Sequence, residues 1–332
     1  MSRFIDAYDS VMFDLDGVVY LGPNAVPHAP EALAQLRELG VKVGFVTNNA
    51  GRSADVVVAQ LKDLGIECRG EDVVTSPQAI AQLMVRELPA GAKVQICGAQ
   101  ALTDEIAAVG FTIVTDFREE PVAVVQGYDP NLSWPSLDNA GWAIQRGARW
   151  FGTNTDISRP THLGMVAGAG AQIEALHTAV PDAQITVAGK PYPPLLQETI
   201  ARMKVTSPVF VGDRLDTDIE GAHNVGIDSF FVFTGAHGKK DLAGAIPQQR
   251  PTAIGWDISG LLAPRRQAST LEDGSVTCGN ARAEISGRAV QITASLTSVD
   301  EQLDALWAIV QLTWADETLD AAHALDQLDK LH

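Results

Sequence analysis

Residues 10–20, SVMFDLDGVVY, set the reading of the whole chain. Val11, Met12 and Phe13 are apolar and suit a buried strand, yet the strand ends on two carboxylates one residue apart, Asp14 and Asp16, with Gly17 behind them. In an open parallel sheet, ligands bind at the carboxyl ends of the strands. The question is therefore whether other strands end beside this one, and on what.

The chain continues as alternating helix and strand patterns. APEALAQLRELG reads as a helix closed by Gly40, VKVGFVTNN as a strand, and SADVVVAQLKDLG as a helix with Ser53 as N-cap and Gly65 after it. SPQAIAQLMVREL is a third helix, with Pro77 in its first turn. A second alternation runs through residues 82–183, over KVQICG, PVAVVQGYD and RWFGTNTD with helices between them. AQITVAGKP, PVFVGDRLDTD and DSFFVFTG then return to short apolar strands of the first kind. The pattern predicts an α/β fold: a doubly wound, Rossmann-like parallel-sheet core over 1–81 and 184–263, with an inserted α/β cap over 82–183. A composition shift at residues 264–266 suggests a linker. Beyond it, residues 267–332 hold 11 Asp and Glu against 3 Lys and Arg. SVTCGNARAEISGRAVQITAS reads there as two or three short strands. Ser298 and Glu301 have capping-box spacing, and Leu303, Leu306, Trp307, Val310 and Trp314 recur at helical spacing. A small α+β C-terminal module is expected, its helix presenting one packing face.

Bulk composition narrows the class. With 332 residues, 46% hydrophobic and 20% charged, the chain resembles an ordinary globular protein of about two domains. A net charge of −17 argues against nucleic acid or an anionic membrane as partner. No apolar run approaches the roughly 18 residues that span a bilayer, and no secretory signal opens the chain. Cys68, Cys97 and Cys278 lie far apart, which suits neither a disulfide framework nor a zinc site. The expectation is a cytoplasmic protein.

Four expected strand ends carry polar residues: Asp14 and Asp16; Thr47, Asn48 and Asn49; Lys190; and Asp213, with Asp218 behind it. If those strands are neighbours, the set is that of a phosphoryl-transfer site. A carboxylate can attack phosphorus and so divide one hard displacement into two. Negative charge then meets a phosphate dianion, so a Mg²⁺ held by carboxylates and the Lys190 ammonium would supply positive charge. Thr47 and backbone N–H groups can hold non-bridging oxygens, and Gly17 lets the backbone approach the phosphate. Singly, Thr-Asn-Asn, Gly-Lys-Pro and the acidic run after Gly212 read as ordinary turn chemistry. Their order and common placement at strand ends favour the site.

At these residues the chain resembles the haloacid dehalogenase-type phosphohydrolases. DLDG at residues 14–17 matches their first motif, Thr47 the second, Lys190 the third, and Gly212 and Asp213 through Asp218 the fourth. The long insert between the second and third motifs, with VTNNAGRS, GTNTD and AGKP, is similar to the branch of NagD-like, phosphoglycolate and pyridoxal phosphate phosphatases. The resemblance implies Asp14 as nucleophile and Asp16 as acid, then base. It implies Thr47 and Lys190 at the phosphoryl group, and Asn48 and Asn49 shaping the loop. Mg²⁺ would sit on Asp14, Asp213 and the carbonyl of Asp16, with Asp218 behind. It also implies that the segment FGTNTDISRP, residues 151–160, reaches the leaving group, with Asn154, Asp156 and Arg159 as candidates; a plain turn at Asn154 and Asp156 is the competing reading. The small polar groups of that loop suit a short polyol phosphate, although Trp134 and Trp142 could supply an aromatic clamp. The acidic extension resembles actinobacterial glycerol 3-phosphate phosphatases, so glycerol 3-phosphate is the first expected substrate. Phosphoglycolate, pyridoxal phosphate and nucleotides are the alternatives. Cap-mediated dimers among similar proteins make a homodimer an expectation beside a monomer. A non-enzymatic reading gives the C-terminal module a ligand-sensing or scaffolding role. The glycine-rich VAGAGAQIEAL reads as close packing rather than a nucleotide loop, and His162 and His223 as structural or surface residues.

Overall fold

A computed structural model describes residues 2–161 and 164–332, without the side chains of Pro160 and Thr161; His162 lies outside the described residues. By packing, the chain forms two units, residues 1–43 with 205–332 and residues 44–204. Among the described residues, no helix is long and apolar enough to cross a membrane.

In the first unit four parallel strands lie in the order Ala253–Gly255, Asp228–Val232, Pro208–Gly212, Ser10–Phe13. Their inner residues form continuous apolar runs and are fully buried, as expected for parallel strands covered on both faces. Phe13 stands opposite Val211, and the Asp14 N–H donates to the Val211 carbonyl at 2.9 Å. That register puts the residue after each strand, Asp14 and Asp213, at one edge.

The C-terminal module shares this unit's core. Four antiparallel strands, Ala268–Thr270, Val276–Cys278, Ala281–Ser286 and Ala289–Thr293, form its sheet. The helix Val299–Ala315 starts with the expected capping box. It packs on the Val276–Cys278 and Ala281–Ser286 strands and also on the Lys239–Ala243 helix and the Ala253–Gly255 strand. Where one packing face was expected, the helix is therefore buried nearly all round, Ala305, Ala308, Ile309 and Leu312 included. One apolar cluster joins its Leu306 and Trp307 to Phe231, Phe233, Leu242 and Ile254. The linker residue Arg266 is fastened to this helix through Asp300 and Asp304.

The second unit opens as the strand Lys42–Thr47 enters it; Phe45, Val46 and Thr47 pair in parallel with Val73, Val74 and Thr75. A five-stranded parallel sheet follows, in the order Ile185–Val187, Arg149–Gly152, Ala123–Gln126, Lys93–Cys97, Thr112–Val114. Its helices include Gln100–Ala108 and Trp134–Gln145, in the intervals between strands where helices were expected, and Ala169–His177 beyond them. One expectation fails. Ile185–Val187, which was to rejoin the first sheet, pairs with Trp150, Phe151 and Gly152 and closes this one. Three apolar or β-branched residues look alike in either sheet; only the pairing decides. All three cysteines are free and buried.

Candidate active site

The first unit gathers the acids. Asp14 follows Ser10–Phe13 and Asp213 follows Pro208–Gly212. Asp218 returns to them on a wide helical turn, Leu215–Ile219, in which the Ile219 N–H reaches back five residues to the Arg214 carbonyl at 3.2 Å. One carboxylate oxygen from each of Asp14, Asp213 and Asp218 lies within 4.8 Å of the others. Asp213 and Asp218 are buried, and Asp14 is half-buried. Asp218 Oδ2 accepts the N–H groups of Asp213 (3.2 Å) and Arg214 (3.1 Å), which holds its carboxylate behind the edge.

Asp16 points outward. Leu15 is fully buried, and its carbonyl accepts the N–H groups of Val19 at 2.9 Å and Tyr20 at 3.1 Å, so the chain turns tightly and leaves the Asp16 side chain exposed. Gly17 completes the turn at φ +92°, where a side chain would be strained, and a Cβ there would stand 2.6 Å from Asp213 Oδ2.

Three carboxylates this close repel one another by on the order of 3 kcal/mol per pair at an effective dielectric near 20. A divalent cation of the Mg²⁺ type reverses that balance, because it takes oxygen ligands and keeps several waters. The donor set, all oxygen and all at one sheet edge, fits such an ion. The sequence reading missed the loop that completes this edge. Residues 234–237 follow the Asp228–Val232 strand; the Ala236 N–H donates to Asp213 Oδ2 at 2.6 Å and the Thr234 hydroxyl to the Gly17 carbonyl at 2.6 Å. His237 Nδ1 accepts the Leu215 N–H at 2.9 Å. The signal was available: DSFFVFTG is a fifth apolar strand ending in small polar residues.

The second unit gathers the remaining candidates around Asn48. Its Oδ1 accepts the Lys190 N–H at 2.8 Å, and its Nδ2 donates to the Lys190 carbonyl at 3.0 Å and to Asp156 at 3.3 Å. The Asn48 carbonyl accepts from Ser76 Oγ at 2.6 Å and Asn154 Nδ2 at 2.7 Å. The loop after Lys42–Thr47, the cap loop and the Lys190 segment thus meet on one side chain and its own carbonyl. Thr47 and Lys190 are 3% and 2% exposed, burial that ordinary surface turns do not show. Thr47 Oγ1 accepts the Asn49 N–H at 3.1 Å, and Asn49 Oδ1 accepts the Gly51 N–H at 2.9 Å, so both side chains bond the backbone of their own loop. Asn154 forms a turn as well, its Oδ1 accepting the Asp156 N–H at 3.1 Å. Arg159 is exposed and donates to the Tyr128 hydroxyl at 2.7 Å.

Comparison with known proteins agrees with this chemistry. A haloacid dehalogenase-like hydrolase model matches residues 11–112, and a HAD-hydrolase-like model matches residues 187–261. The D-glycerol 3-phosphate phosphatase of Mycobacterium tuberculosis is 40% identical over 319 residues, 95% of this chain and 88% of that protein. A crystal structure of glycerol phosphate phosphatase from Mycobacterium tuberculosis in complex with magnesium superposes with a TM-score of 0.87 at 38% identity, covering 99% of each chain. The acid sugar phosphatase of Staphylococcus haemolyticus is 31% identical over 76% of this chain and 94% of its own length. With its acids at the strand ends and this extent of similarity, the chain belongs to the haloacid dehalogenase-like hydrolases.

Proposed function

We propose that the chain is a Mg²⁺-dependent phosphatase that hydrolyses glycerol 3-phosphate to glycerol and phosphate. The observation that carries the reading is the Asp14, Asp213 and Asp218 cluster within a chain 40% identical, nearly end to end, to a D-glycerol 3-phosphate phosphatase. In this reading an Asp14 carboxylate oxygen attacks phosphorus, and the bond to the glycerol oxygen breaks as Asp16 gives that oxygen a proton. Asp16 then takes a proton from the water that attacks the aspartyl phosphate, which frees phosphate and restores Asp14. Its exposed position leaves it room to serve both steps. Mg²⁺, when bound at Asp14, Asp213 and the Asp16 carbonyl, neutralises charge on the phosphoryl oxygens. Thr47 hydrogen-bonds the phosphoryl group and Lys190 supplies the second positive charge, while Asn48 and Asn49 hold the loop that carries Thr47. Of the cap-loop candidates, Asn154 turns its own loop and ties it to the Asn48 carbonyl, and Asp156 and Arg159 are assigned to the polyol end.

The test is phosphate release from glycerol 3-phosphate, phosphoglycolate, pyridoxal phosphate and a nucleoside monophosphate, with and without Mg²⁺, beside Asp14→Asn. Glycerol 3-phosphate should be preferred, with turnover needing Mg²⁺ and falling at least about 10⁴-fold in the variant. A folded wild-type protein that turns over none of these esters, or a variant that keeps its activity, overturns the reading.

A further inference from the structure

The loop that serves Asp213 is fastened from behind by the last residues of the C-terminal module, all within the first unit. Residues 234–237 meet the acidic edge at three points: Ala236 N–H on Asp213 Oδ2, Thr234 hydroxyl on the Gly17 carbonyl, and His237 N–H on the Asp213 carbonyl at 3.2 Å. The loop has no helix or strand of its own, so its shape depends on its two ends. One end is Phe233, buried after the Asp228–Val232 strand. The other is the helix Lys239–Ala243, whose five residues are too few to hold a helix unaided.

Residues 328–332 hold that helix. The Lys239 N–H donates to the His332 backbone oxygen at 2.7 Å, and Lys239 Nζ donates to the carbonyls of Leu328 at 2.5 Å and Leu331 at 2.6 Å. Leu328 and Leu331 are buried in the same cluster as Phe233 and Leu242. A Cβ on Gly238 would stand 2.4 Å from the His332 backbone oxygen, so the contact requires glycine there. Lys239 is only 9% exposed, and burial pushes its ammonium below the ordinary lysine value. An apolar residue would close the same gap without desolvating a charge. The lysine ammonium, however, bonds the buried carbonyls of Leu328 and Leu331, which an apolar side chain would not.

We infer that residues 328–332, acting through Gly238 and Lys239, are positioning residues for the metal-binding carboxylates, because they fix the loop whose N–H groups hold Asp213. The inference rests on the metal site proposed above. Outer partners of metal ligands commonly change metal affinity about 10- to 100-fold when removed.

Calorimetric titration of Mg²⁺ into the full chain tests it. Gly238→Ala and Lys239→Met should bind Mg²⁺ about 10-fold more weakly than wild type. Lys240→Ala, which removes only the exposed pair with Asp326, should bind like wild type. A purely structural clamp would lower the melting temperature of the first two and leave their Mg²⁺ affinity unchanged. That result, in variants with the wild-type circular dichroism, overturns the inference while leaving the phosphatase reading intact. A wild-type protein that binds no Mg²⁺ overturns both. If either variant does not fold, hydrogen exchange on the wild type decides. Linkage is reciprocal, so Mg²⁺ must slow exchange of the Lys239 amide that bonds His332. Equal exchange with and without Mg²⁺ also overturns it.

Discussion

Asp14 and Asp213 come together because two strands share a register, and Asp218 because one turn is wound a residue wider than an α-helix. Asp14 and Asp213 were legible in the sequence, since each follows an apolar run and the run itself predicts the strand end, whereas Asp218 was readable only as an acid behind Asp213. Asn48 was legible only as loop chemistry. Its partners Ser76, Asn154 and Lys190 lie 28, 106 and 142 residues away, and no local pattern announces them. Asn48→Ala should expose how much the arrangement depends on it. The side chain satisfies both backbone groups of Lys190, a residue 2% exposed, and each buried group left without its bond costs about 1 to 3 kcal/mol. A loss of about 3 kcal/mol in urea unfolding is the expected outcome. A loss below about 1 kcal/mol would show that water takes over both bonds.

At the scale of elements, the helix Val299–Ala315 shows what periodicity can and cannot tell. Its apolar spacing and its capping box were both readable. Its burial on nearly every side was not, because that depends on a sheet and a short helix that approach it from elsewhere in the chain. The cap itself carries a pH signature. Glu301 Oε2 accepts the Thr297 hydroxyl at 2.7 Å, the Thr297 N–H at 2.9 Å and the Ser298 N–H at 3.0 Å. Bonding led by the Thr297 hydroxyl pushes its pKa down to about 2 from 4.5. A depressed carboxylate stabilises the fold fully above its unfolded value and loses that contribution as pH falls through the folded one. Wild type should therefore melt above Glu301→Gln near neutral pH, and the gap should close between pH 4.5 and about 2. Parallel melting curves across that range would remove the charge from the explanation and leave only the hydrogen bonds.

At the scale of the whole molecule, the sequence reading placed a linker at 264–266 and a module beyond it, and the module proves to share a core with the strands before it. Both family models stop by residue 261, so the family pattern ends where this extra packing begins. Nothing in the composition could have shown that Phe231, Phe233, Leu242 and Ile254 are covered by Leu306, Trp307 and Val310 rather than by solvent-facing helices. Polar stitching follows the same surface: Trp314 Nε1 donates to the Leu242 carbonyl at 2.9 Å and Thr313 Oγ1 to the Ala243 carbonyl at 2.9 Å. A chain stopped after Pro264 would lose all of these contacts at once. Truncating one buried leucine, isoleucine or phenylalanine costs about 2 to 5 kcal/mol, against a total stability of about 5 to 15 kcal/mol for a typical domain. Uncovering several such side chains together exceeds what the remaining first unit can bear. Residues 1–264 should accordingly aggregate on light scattering or melt at least about 15 °C below the full chain. If that shorter chain were monomeric with an unchanged melting point and unchanged phosphate release, the module would be a free passenger. A sensing or scaffolding role, independent of the hydrolase, would then become the better account of it.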